Sequence, residues 1–199
     1  IGMAEKDNIV YRSGAKEHDL ICLSGDLGGA YIGLQVLERE KKIFLENPKI
    51  QPDLSGNDYV LERQLKPEAR KEIIEQLAGL KVKPTSLIDI SDGLSSEVLH
   101  ICRQSNVGAE IYEDKIPIDP QTYDRAREFI LDPTVCALSG GEDYELLFTI
   151  AQSDYEKIRG TMDISIIGHI TDKNSGVNLI DKSGNSVKMI AQGWDALLK

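Results

Sequence analysis

The sequence offers little material for redox or metal-ribbon chemistry. Its three cysteines, Cys22, Cys102 and Cys136, are odd in number and far apart, and no two form a Cys-x-x-Cys pair. Neither a disulfide framework nor a zinc ribbon is therefore indicated. Cys22 lies in the apolar run Leu20-Ile21-Cys22-Leu23, and Cys102 follows Val98 at helical spacing. Both read as small core hydrophobes, and reduced thiols suit a cytoplasmic protein. Histidine is as scarce. His18, His100 and His169 make no His-Glu-x-x-His metal pattern, and no Ser-His-Asp grouping suggests itself. No run of about 18 apolar residues and no signal-peptide pattern occurs, so the expectation is a chain without a membrane span. Positive charge is in deficit. With 23 Lys and Arg against 33 Asp and Glu, the net charge is −10, which argues against nonspecific binding to nucleic acid or anionic membranes.

What is present suits one domain with a real core, since 41% of the 199 residues are hydrophobic. Asp19 to Ser24 is a short apolar run ending at Gly25 and reads as a buried strand. Leu27 to Leu45 carries Leu34, Leu37 and Phe44 at near-helical spacing with charges between them, an amphipathic helix. Residues 47–57 are loop by composition. A second helix is expected over Glu68 to Leu80, with Pro67 in its first turn. Strands follow at Ser86–Ile90, Gly108–Tyr112, Tyr144–Ile150 and Ile164–Ile170. Helices are expected at Leu94–Gln104, Tyr123–Leu131 and Ser153–Arg159. Gly176 to Ile190 reads as a hairpin turning at Lys182-Ser183-Gly184-Asn185. Crossover helices combined with a late hairpin predict an α/β domain, a mixed sheet with packed helices.

Two segments carry candidate chemistry. Asp89-Ile90-Ser91-Asp92-Gly93-Leu94 joins a predicted strand to a predicted helix. Free amides and the positive dipole end at such a helix mouth favour a phosphate, and the carboxylates could hold Mg²⁺. Asp92 alone also fits a simple N-cap, and Asp89 a solvated strand end. Ser139-Gly140-Gly141-Glu142-Asp143-Tyr144-Glu145 places three acids after paired glycines. Their mutual repulsion needs a cation or hydrogen-bond donors among them, unless this is only a turn with exposed acids. Gly25-Asp26-Leu27-Gly28-Gly29 is another strand–helix junction, but it is not GxGxxG and lacks a P-loop Lys. It reads as helix packing and capping. Arg12 stands beside a turn, and Trp194 close to the end of the chain reads as a packing anchor or a stacking face.

These segments, in this order, resemble the thiamine-monophosphate kinase family. Tyr11-Arg12-Ser13-Gly14-Ala15-Lys16, Ile88 to Leu94, Leu138 to Leu146 and Gly193-Trp194 carry the likeness, which runs from about Val10 to Trp194. The resemblance implies the C-terminal domain of the aminoimidazole-ribonucleotide synthetase-like superfamily. It implies transfer of the γ-phosphate of ATP to thiamine monophosphate, with several Mg²⁺ ions. By position, Asp89 and Asp92 would be Mg²⁺ ligands, Ser91 and Arg12 would contact ATP, and Glu142 and Trp194 would hold thiamine monophosphate. It further implies a homodimeric parent with an N-terminal dimerisation and Mg²⁺-binding domain that this chain lacks. The chain, opening on Ile1-Gly2-Met3, is expected to be a fragment (residues 1–199 as one domain) that is weakly active or inactive alone. Two other readings are an ATP-dependent synthetase of the same superfamily and a non-catalytic nucleotide- or protein-binding domain.

Overall fold

The computed structural model describes residues 5–191. Among them seven strands form one sheet. These are β1 (Leu20–Ser24), β2 (Ser86–Asp89), β3 (Gly108–Tyr112), β4 (Leu146–Ile150), β5 (Ile164–Thr171), β6 (Val177–Ile180) and β7 (Ser186–Lys188). Their spatial order is β2-β4-β1-β5-β3-β6-β7. β3 and β6 pair parallel and the other neighbours antiparallel, so the sheet is mixed as expected. The α-helices are α1 (Gly29–Glu46), α2 (Asp58–Leu65), α3 (Lys71–Gly79), α4 (Leu94–Ser105), α5 (Pro120–Glu128), α6 (Pro133–Ser139) and α7 (Tyr155–Ile158).

Alternation along the strands sends successive side chains to opposite faces. Ile21 and Leu23 of β1 join Leu147 and Ile111 in a core covered by Leu94, Val98 and Ile101 of α4. Cys22, Phe148 and Ile150 face the other way, onto Ile73 and Leu77 of α3. A third cluster packs Ile32 and Val36 of α1 against Val60 of α2, with Ala126 and Cys136. In β5 the pairing with β1 slips by one residue, so that Ile21 faces Gly168 but Cys22 faces Ile166. This bulge lets Ile167 and Ile170, three positions apart, serve the same core.

The differences from the sequence reading are local. Pro67 lies in the connection between α2 and α3 and not in the first turn of a helix. α2 has one fully buried side chain, Val60, which leaves almost no apolar stripe to read. The helix expected at Tyr123 starts earlier, at Pro120, because the Asp119 carboxylate accepts the Gln121 N–H at 2.7 Å. α6 repeats that device with Asp132 and Pro133. The hairpin turn is held by Asp181, whose carboxylate accepts the Ser183 and Asn185 N–H groups, each at 2.8 Å. Trp194 lies outside the described residues.

Candidate active site

The two acidic glycine segments meet along a backbone seam. Beyond the paired ends of β2 and β4, the Ile90 N–H donates to the Glu145 carbonyl, the Tyr144 N–H to the Ile90 carbonyl and the Glu142 N–H to the Ser91 carbonyl, each at 2.8 Å. Glycine makes this approach possible. Gly141 has φ +71°, and a Cβ there would stand 2.6 Å from the Ser91 carbonyl oxygen. Gly93 has φ +109°, and its Cβ would stand 2.7 Å from the Leu138 carbonyl oxygen. Any other residue at either position would be strained and would push the segments apart.

The seam gathers three of the expected residues at one exposed mouth. Asp89 ends β2, Asp92 precedes α4, and both are exposed, as is Glu142. The Tyr144 hydroxyl donates to Glu142 Oε2 at 2.9 Å. The Tyr144 phenol is raised above its ordinary value, first by that bond to Glu142 and then by the field of Glu142, with Asp89 and Asp92 adding to it. These three carboxylates therefore act on one locus. Ser91, half-buried, sits in the seam itself. Glu142 and Tyr144 both take left-handed backbone, φ +63° and +52°, a conformation that non-glycine residues keep only when their surroundings impose it.

Asp92 is not the N-cap of α4. Gly93 holds that place and no side chain caps the helix; the residues of its first turn, Leu94 to Glu97, are all buried, and the Ser96 N–H donates to the Gly93 carbonyl at 3.0 Å. Instead the buried Glu97 reaches back and accepts the Asp92 N–H at 3.1 Å. Burial raises the Glu97 carboxyl to about 7. Arg12 is not brought into the group. It is exposed, makes no hydrogen bond or ion pair among the described residues, and follows Tyr11, whose carbonyl accepts the Leu87 N–H at 3.0 Å beside β2.

The other two acids of the glycine segment turn inward and find the donors that their charge demands. Asp143 accepts the Gly28 N–H at 2.8 Å and the Ala30 N–H at 3.2 Å, so it, and not Asp26, caps α1. Asp26 instead accepts the Tyr59 hydroxyl at 2.6 Å, and burial raises its carboxyl. Glu145 is fully buried. It accepts the Ser24 hydroxyl at 2.6 Å, Arg70 Nε at 2.8 Å and a second bond from Arg70 Nη2. Arg63 Nη1 lies 2.8 Å away from it. Both arginines escaped the sequence reading because their partner is remote: Arg70 and Glu145 are 75 positions apart. The signal available was the unmet need of buried acids for cations. Outside this clamp a solvent-open cavity of about 220 Å³ lies over Tyr59, Arg63, Lys66 and Arg70. Among the described residues no three His, Cys, Asp or Glu side chains form a metal cage.

Residues 16–180 match the family described as AIR synthase related protein, C-terminal domain. The chain is 38% identical over 185 residues to the thiamine-monophosphate kinase of Buchnera aphidicola subsp. Schizaphis graminum, covering 90% of this chain and 53% of that protein. To the thiamine-monophosphate kinase of Pyrococcus horikoshii it is 36% identical over 189 residues, covering 95% and 53%. Among solved structures, AaThiL complexed with AMPPCP and TMP superimposes with a TM-score of 0.74 at 29% identity, over 94% of this chain and 54% of that one. The chain thus spans about half the length of the curated relatives it matches. With most of its length matched, the chain belongs to the family of AIR synthase related proteins, as a C-terminal domain.

Proposed function

We propose that this chain is the ATP- and substrate-binding half of a thiamine-monophosphate kinase, which moves the γ-phosphate of ATP to thiamine monophosphate and forms thiamine diphosphate. The observation that carries the reading is the seam, which sets Asp89, Asp92 and Glu142 around one mouth at a helix N-terminus. The relatives' shared name and the AaThiL complex with AMPPCP and TMP support the choice of ligands.

Phosphoryl transfer asks for alignment and charge neutralisation more than for covalent chemistry. Asp89 and Asp92 present exposed hard oxygen donors. Two carboxylates suffice for Mg²⁺, which keeps several waters and shares phosphate oxygens, so the pair fits that ion without a third protein ligand. Bound there, Mg²⁺ would neutralise phosphate charge that an acidic surface otherwise repels. Ser91 receives an ATP phosphate oxygen, and Arg12 contacts the nucleotide. Glu142 faces the cationic thiazolium of thiamine, its carboxylate oriented by the Tyr144 hydroxyl, and Trp194 packs on a substrate ring. The parent protein supplies an N-terminal domain with the rest of the Mg²⁺ site, acts as a cytoplasmic homodimer and binds no nucleic acid. This half alone turns over weakly or not at all. No helix among the described residues is long and apolar enough to cross a membrane.

The test is a Mg²⁺-dependent assay of the full-length parent with ATP and thiamine monophosphate, beside its Asp92→Asn variant. Product from the parent and a loss of about a hundredfold or more in the variant is the expected result. A folded, ATP-binding parent that makes no thiamine diphosphate sinks the reading, and points to a sister synthetase or a binding module.

A further inference from the structure

We propose that Arg70 is a positioning residue: by clamping Glu145 it holds the strained turn before it so that Glu142 stays in the mouth. The proposal rests on the reading of Glu142 as a substrate contact. Arg70 lies in the connection between α2 and α3 and meets the seam only through the side chain of Glu145, whose carbonyl accepts the Ile90 N–H. Its guanidinium meets Glu145 as a fork, through Nε at 2.8 Å and through Nη2. The carboxylate has no freedom on its other side. Ser24 donates to it at 2.6 Å. Gly25 is packed so closely that a Cβ there would lie 2.6 Å from the Glu145 carboxyl carbon.

Stability alone does not account for this arrangement, because a buried ion pair can often be replaced by apolar residues without loss of stability. Conformation does. Gly141, Glu142 and Tyr144 all have positive φ, so the turn relaxes unless it is restrained at both faces. Glu142 and Tyr144 point to the mouth, while Asp143 and Glu145 point inward to anchors. Asp143 is tied to α1 amides. Glu145 is tied to a planar fork that fixes the angle of its carboxylate as well as its position. Lysine would supply the charge without the plane.

Arg70 is reachable from solvent, at 26% exposure beside the open cavity, which allows chemical rescue. The experiment uses the full-length parent with Arg70→Lys and Arg70→Ala, read by amide exchange at Glu142 and Tyr144 and by the two KM values. In both variants protection of those two amides should fall about tenfold or more, while β1 and β5 amides keep theirs. KM for thiamine monophosphate should rise about tenfold and KM for ATP stay within about twofold. Ethylguanidinium should restore Arg70→Ala. Unchanged protection at Glu142 and Tyr144 overturns the proposal. So does protection lost evenly across the sheet, or an equal rise in both KM values, since each marks a merely structural role. If the unmutated parent fails to phosphorylate thiamine monophosphate, the functional reading falls separately, and the exchange pattern still decides whether Arg70 holds the turn.

Discussion

Replacing Gly141 by alanine tests the seam directly. The new Cβ would stand 2.6 Å from the Ser91 carbonyl oxygen, whereas a comfortable carbon–oxygen contact is about 3.3 Å. The segments must therefore part by roughly 0.7 Å. That stretches the 2.8 Å bond from the Glu142 N–H to Ser91 to the edge of hydrogen-bonding range, a loss of about 1 kcal/mol. Alanine at φ +71° adds about 1 kcal/mol or more of backbone strain. The expected destabilisation is about 2–3 kcal/mol. Gly160 provides the control, since its φ is +76° with nothing within 4 Å of a Cβ. Gly160→Ala should show the strain alone, about 1 kcal/mol. In urea, with a slope of about 2 kcal/mol per molar, the midpoint should fall by about 1–1.5 M for Gly141→Ala and about 0.5 M for Gly160→Ala. Equal shifts would mean that the contact with Ser91 contributes nothing, and the seam would lose its claim to hold the mouth together.

Two further outcomes concern buried ionisable groups. Burial raises the Asp143 carboxyl from 3.8 to about 6, against the Gly28 and Ala30 amides and Arg63, which pull it down. The folded state therefore holds that proton more tightly than the unfolded state, so the stabilisation is full below pH about 3.8 and is lost as pH rises through about 6. From pH 5 to pH 7 the wild-type chain should lose on the order of 1 kcal/mol more stability than Asp143→Asn. Denaturation of both proteins at pH 5, 6 and 7 measures this, and a pH-independent difference between them refutes it. Burial also pushes the Cys22 and Cys102 thiols up to about 12 and Cys136 up to about 11. Native protein should then resist thiol alkylation at pH 8 and label at all three positions only when unfolded. Rapid native labelling at any of them contradicts that burial.

The sheet was legible because its strands are short apolar runs bounded by glycine and polar residues, a pattern that survives without tertiary knowledge. α2 was not, since it buries little beyond Val60 and its packing on α1 depends on Gly33, where a Cβ would meet the Val60 backbone. α5 was legible over Tyr123–Leu131 but not its start, and α6 was not legible; each opens on an Asp-Pro pair, Asp119-Pro120 and Asp132-Pro133, a capping signal that hydrophobic periodicity misses. Within the site, Asp92 and Glu142 were legible as acids beside glycines and Asp89 as an acid at a strand end. Glu97 was not, because a lone Glu one turn into a helix ordinarily faces solvent.

The division of the acidic segment was not readable from a strand period. β4, which follows, is buried on both faces from Leu147 onward, and Glu142 and Tyr144 take left-handed backbone that no periodicity announces. That backbone commits Asp143 and Glu145 to the interior, where an unpaired charge is intolerable. The fold must therefore bring donors to them from elsewhere in the chain. α1 answers with its N-terminal amides, and α2 and the connection after it answer with Arg63 and Arg70. The same turn leaves Glu142 and Tyr144 outward. A run of acids that looks uniform in sequence is thus divided by backbone geometry, into a part that holds the turn and a part that faces the mouth. The anchors that secure the first part are what allow the second to remain charged, exposed and fixed in direction.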